Sequence, residues 1–194
     1  MITGLLIALM FLLPVVVWVR RLYRLDKKTF SDAVPYLRRD NPEQLEELLN
    51  DVLEASLLLN LGHRQFRKEQ LKRIRLAQEF IAQRAHNASI LQEWGSTEQE
   101  RTRTTLDKEV RSAARALIDA CIEYRISVLW IRIQLQMWYM KLVFLPRVQP
   151  PQIARLRQID SFDLLGSYVD IKKAAEQLAA ACGGDYQQRL TQVL

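Results

Sequence analysis

From Leu106 to Leu145, apolar side chains return every three or four residues. The run is Leu106, Val110, Ala113, Leu117, Ala120, Tyr124, Val128, Ile131, Leu135, Trp138, Leu142 and Leu145. An α-helix lines such positions up on one face, and a strand does not. The steps alternate four and three, with one extra four at Tyr124–Val128, as in coiled-coil-like packing with a local phase slip. Pro146 ends the run, because proline removes an amide donor and clashes with the preceding turn.

Shorter versions of this pattern flank it. Asn41-Pro42-Glu43-Gln44 has the form of a helix start, with a capping Asn, a first-turn Pro and a capping-box Gln. A stripe follows through Leu45, Leu48, Leu49, Val52 and Leu53. Gly62 interrupts it, and it resumes from Phe66 to Leu91. Trp94-Gly95 reads as the end of this first long helix, since glycine suits the position just past a helix. Ser96…Gln99 and Thr97…Glu100 have the capping-box spacing of the next one. Pro150-Pro151 opens a third helical region, with a break expected around Asp160–Asp163. Its stripe is Leu164, Tyr168, Ile171, Ala175, Leu178 and Cys182, and Gly183-Gly184 closes it. The last residues, 185–194, allow a helical turn or two. With 6 Gly and 6 Pro in 194 residues, and sparse β-branched alternation, the expectation is all-α: long helices joined by short connections and packed antiparallel into an elongated bundle.

The amino end has a different character. Ile2–Val19 contains no charged side chain, and Arg20, Arg21, Arg24, Lys27 and Lys28 follow at once. Eighteen helical residues rise roughly 27 Å, close to the hydrocarbon thickness of a bilayer. Trp18 and Tyr23 stand where an aromatic belt belongs, and Pro14 is expected to kink the span. A cleaved secretory signal would carry basic residues before the apolar run and small residues at its end; neither is present. The fold expected is therefore one N-terminal transmembrane helix followed by the bundle. Residues 1–20 form the anchor, 21–40 a basic juxtamembrane linker in which Tyr36 and Leu37 can reach the bilayer surface, and 41–194 the cytoplasmic helical domain. The positive-inside rule puts Met1 outside and the bundle in the cytoplasm.

Net charge is +6, and the collar supplies much of it, so the balance does not call for nucleic acid. Arg20, Arg21, Arg24, Lys27 and Lys28 are expected to meet lipid headgroups. Arg64, Lys68, Lys72 and Arg75 recur at steps of four, four and three. They read as a solvated or ion-paired face, or as one contacting an anionic surface. Ile126–Leu145 concentrates aromatic residues. Arg132, Gln134, Gln136 and Lys141 argue against a second membrane span there. The stretch reads as bundle core, as a partner interface anchored by Trp130, Trp138 and Tyr139, or as a helix on the membrane surface.

Catalysis and metal binding find little footing. No P-loop, dinucleotide glycine pattern, GxSxG or HExxH is present. His63 and His86 have no spaced partners, Asp160 and Asp163 suit helix caps, and Cys121 and Cys182 read as buried thiols. The Asn87-Ala88-Ser89 sequon is silent in a cytoplasm. The expected role is a non-catalytic, single-pass interaction or scaffold protein without cofactor, bound to a protein partner or to itself. The alternatives are a peripheral module reading anionic headgroups and an enzyme without a recognisable motif.

Overall fold

The structure, a computed structural model, describes residues 29–39, 41–105, 107–145, 153 and 164–191. The expected anchor and its collar, residues 1–28, lie outside the described residues, as do Leu106, Asp160 and Asp163. The elements are α1 (Phe30–Ala33), a 3-10 turn (Val34–Tyr36), α2 (Pro42–Leu48), α3 (Asp51–Asn60), α4 (His63–Thr105), α5 (Lys108–Phe144), α6 (Leu164–Cys182) and α7 (Gly184–Thr191). Among the described residues there is no strand, and no helix is long and apolar enough to cross a membrane.

α4 and α5 dominate. With 43 and 37 residues, they extend roughly 64 and 55 Å at 1.5 Å per residue. They run antiparallel: Arg75 meets Tyr139, Gln78 meets Gln136, and Gln92 meets Arg125. α6 returns beside α5. Tyr168 lies against Tyr124, with ring centroids 5.4 Å apart, and Cys182 at the other end feels Glu98, Arg101 and Asp107. The three helices thus pass up, down and up.

The seam residues are those of the sequence stripe. Val110, Leu117, Tyr124, Val128, Ile131, Leu135 and Leu142 of α5 are buried, as are Ile74, Ala77, Ile81, Ala88 and Leu91 of α4. On α6 the buried set is Tyr168, Ile171, Ala175 and Leu178. Each fully buried Leu or Ile stabilises the fold by about 1.5–3 kcal/mol. The final residue of the α5 stripe, Leu145, is exposed.

The first long helix does not end at Trp94-Gly95; it continues to Thr105. A Cβ on Gly95 would sit 3.2 Å from Ile118 Cγ1 and 3.4 Å from the Ala114 carbonyl oxygen. The glycine therefore serves close approach of α4 and α5 rather than a helix end. The cap-like residues after it stay helical by bonding backwards. Ser96 Oγ donates to the Gln92 carbonyl at 2.8 Å, and Thr97 Oγ1 to that of Glu93 at 3.0 Å. The actual cap of α5 is Asp107, whose carboxylate accepts from the Val110 amide. By contrast, Gly62 does separate two helices, and Gly183 leaves α6 with φ of 136°, a conformation that favours glycine.

Residues 29–39 pack on the bundle. Phe30 stacks between Trp94 and Tyr186, at centroid distances of 5.0 and 4.6 Å. Leu37 is buried and Tyr36 exposed. Asn87, buried in α4, accepts from the Arg38 amide (2.9 Å), donates to the Arg38 carbonyl (2.7 Å) and reaches the Tyr168 hydroxyl (3.1 Å). The sequon asparagine is thus an internal clasp.

α6, at 19 residues, is too short to flank all of the α4–α5 pair. Farther along α4, α2, α3 and residue 153 pack on it through a buried polar node. Glu54 accepts from the Gln70 side-chain amide and from the Ile153 amide, and pairs with Arg73 at 3.5 Å. Arg73 also donates to the Leu48 carbonyl.

Candidate interaction surface

α5 has two apolar faces, and among the described residues the bundle packs against one of them. Ile126, Trp130, Ile133, Met137, Met140 and Phe144 are all exposed; Trp130 is 56% and Phe144 67% accessible. Their steps are four, three, four, three and four, so they hold successive d and a positions of a heptad. The f positions of the same heptads, Val128, Leu135 and Leu142, are buried. In a helix, f lies opposite the a/d seam. The outward stripe therefore runs along the back of the core stripe for about 27 Å, from 18 residues at 1.5 Å each.

The stripe begins where charge ends. Counting back by the same heptad gives Glu123 and Asp119, both exposed. From Tyr124 to Leu145 there is no acidic residue, and the cations are Arg125, Arg132 and Lys141. Arg125 is held by the Gln92 side chain at 2.6 Å. Positions flanking the seam are neutral apart from Lys141: Leu129, Gln136 and Val143 on one side, Ser127 and Gln134 on the other.

The aromatic trio expected at a partner interface is split. Trp130 is on the outward stripe, whereas Trp138 and Tyr139 are half-buried against the core. Tyr139 is further engaged by Arg75, whose guanidinium donates to the phenol oxygen at 3.1 Å and lies 5.7 Å from the ring centroid. That hydrogen bond is the main cause of the raised pKa of Arg75. Arg64, Lys68, Lys72 and Arg75 are all exposed. Lys72 pairs with Glu69 at 2.9 Å, and Arg75 brings this basic edge of α4 up to α5.

Within the stretch Ile126–Leu145, the aromatic content points to Trp130, Trp138, Tyr139 and Phe144, but not to Ile126, Ile133, Met137 and Met140. Their signal was present, a second three-four periodicity on the helix that already carried the core stripe. Periodicity alone does not say which of two apolar faces meets the rest of the protein.

Other chemistry is sparse. Among the described residues, no group of His, Cys, Asp and Glu could hold a metal ion. Cys121 is buried and burial pushes its thiol far up. The Cys182 thiol is pushed up to about 11, by burial first and by the Glu98 carboxylate next. A hollow of about 750 Å³ lies between α2, α3 and α4, with Leu53, Leu57, Leu76 and Phe80 in its wall and Glu47 and Glu79 among its polar residues. Comparison with family models, with curated proteins and with solved structures finds no match for this chain.

Proposed function

We propose that this chain is a membrane-anchored, non-catalytic interaction protein that docks another polypeptide along the outward face of α5. The observation that carries this reading is the exposed heptad stripe Ile126–Phe144. An apolar strip of that length on a helix already packed on its other side costs solubility unless something covers it. Trp130 and Phe144 are anchor-type side chains, with large area and few rotatable bonds. The anchor rests on the uncharged run Ile2–Val19 and the collar from Arg20 to Lys28, with the bundle on the cytoplasmic side by the positive-inside rule.

A second reading, binding to anionic lipid, is favoured by one specific contact. Arg75 joins Tyr139 of α5, so the cations of α4 border the helix that carries the apolar stripe. Such a combination suits a bilayer interface.

Two measurements test the leading reading. Full-length protein should stay in the membrane pellet after an alkaline carbonate wash; recovery in the supernatant overturns the anchor. In native membranes, a cysteine placed by Trp130→Cys should be shielded from a water-soluble maleimide. Labelling as fast as at exposed Ser112→Cys overturns the docking face.

A further inference from the structure

Resting on that docking reading, we infer that the polypeptide covering the α5 stripe is a second copy of this chain, laid antiparallel across a two-fold axis. A two-fold interface requires that if residue i touches residue j of the other copy, then j touches i. In an antiparallel coiled coil a meets d across the seam, and this means that the numbers of those core pairs share one sum. Because its four-three-four-three-four spacing reads the same in reverse, the stripe can meet this requirement: 126 with 144, 130 with 140, and 133 with 137 each sum to 270. Every member has a mate within the same set.

The pairs also fit by size and chemistry. Trp130 falls beside Met140 of the other copy, and an unbranched, polarizable thioether is well suited to fill space around an indole. Phe144 falls beside Ile126, and Met137 beside Ile133, so large and smaller side chains alternate. A parallel arrangement would set Trp130 against Trp130 and Phe144 against Phe144. The positions flanking that seam meet like with like, g with g and e with e: Gln136 faces Gln136 and Lys141 lies beside Ser127, so no like charges oppose one another. Half of a long apolar or aromatic side chain is on the order of 100 Å². With Val143, which flanks the seam, seven exposed residues offer up to roughly 700 Å² per copy, within the range of a stable interface. Lipid makes no demand for a narrow seam in heptad register, and this favours the second copy over a bilayer.

The test uses the full chain in native membranes. Two differently tagged copies are co-expressed, one with Ile133→Cys and the other with Met137→Cys, and exposed to a mild oxidant. A disulfide between the tags is expected, and none when both copies carry Ile126→Cys, because antiparallel packing sets those positions about 27 Å apart, 18 residues of rise. Met137→Glu in both copies should weaken self-association, read by sedimentation in detergent, by about tenfold or more, since it buries an unpaired charge. Its thermal melt separates loss of dimer from loss of fold. A link between the two Ile126→Cys copies, or absence of the 133–137 link, overturns the inference. If that link is absent while Trp130→Cys stays shielded in membranes, the docking reading survives and this inference alone fails. Shielding that appears only on adding phosphatidylserine vesicles assigns the face to lipid instead, and overturns the inference as well.

Discussion

Glu54 and Arg73 lie 3.5 Å apart, each almost entirely buried, where α3 meets α4. The pair holds more than itself: the same carboxylate accepts from Gln70 and from the Ile153 amide. Removing it by Glu54→Ala leaves a buried guanidinium whose remaining partner among the described residues is the Leu48 carbonyl, and two donors without this acceptor. The expected loss is about 3–5 kcal/mol, the usual cost of orphaning a buried charge, read as a lower midpoint in urea unfolding. Replacing an exposed pair, as in Glu69→Ala opposite Lys72, should change stability by less than about 1 kcal/mol.

Gly95 sets how near α4 and α5 can come. In Gly95→Ala the new methyl gains about 1 kcal/mol of helix propensity but must shift Ile118, 3.2 Å away, by a few tenths of an ångström. These effects nearly cancel, so the variant should melt close to the parent. Gly95→Leu has no such escape, because the Ala114 carbonyl is backbone. Overpacking there is expected to cost about 1–3 kcal/mol or more, measured by circular dichroism on heating.

Asn87 should decide whether residues 29–39 stay docked. In Asn87→Ala the Arg38 amide and carbonyl lose their partners in α4. Faster hydrogen exchange at the Arg38 amide is expected, by about tenfold or more, matching loss of about 1–3 kcal/mol. Exchange at Leu117, in the remote α4–α5 core, should hardly change. Equal acceleration at both sites would show that the clasp is not local.

Cys182 gives a pH signature. Its thiol is held up to about 11, so the thiolate is scarce near neutrality. Alkylation by iodoacetamide should climb about tenfold per pH unit well past 9, where an ordinary thiol levels off. The linked effect on stability has a definite sign. Below the unfolded pKa near 9 the contribution is complete; between 9 and about 11 the unfolded chain ionises first, and stability falls as pH rises. Cys182→Ala should flatten that part of the alkaline melting curve.

The helical character of the described chain was legible because three-four periodicity admits no other regular structure. α6 matches its stripe from Leu164 to Cys182, and the core residues of α5 match from Val110 to Leu142. The end of α4 was misread at Gly95 for a physical reason. Glycine marks a helix end when its φ is positive, but inside a helix it marks a neighbour that comes too close for a side chain, and local sequence is the same in both cases. Ser96 and Thr97 were ambiguous in the same way, since their hydroxyls cap a helix or bond back to carbonyls within it. Of the three aromatic residues expected at an interface, Trp130 is outward, while Trp138 and Tyr139 are half-buried against the core.

What the sequence determined by itself is local and one-dimensional: which segments are helical, where proline stops them, and that Ile2–Val19 is uncharged and followed by cations. Which residues are inside was decided by three dimensions. α5 carries two stripes of similar greasiness, and its partners α4 and α6 can cover one of them. Asn87 gathers Arg38 and Tyr168 from 49 and 81 residues away, and Glu54 reaches an amide 99 residues on. Such contacts depend on how helices cross, and that is fixed by the shapes of whole faces rather than by any residue's neighbours along the chain.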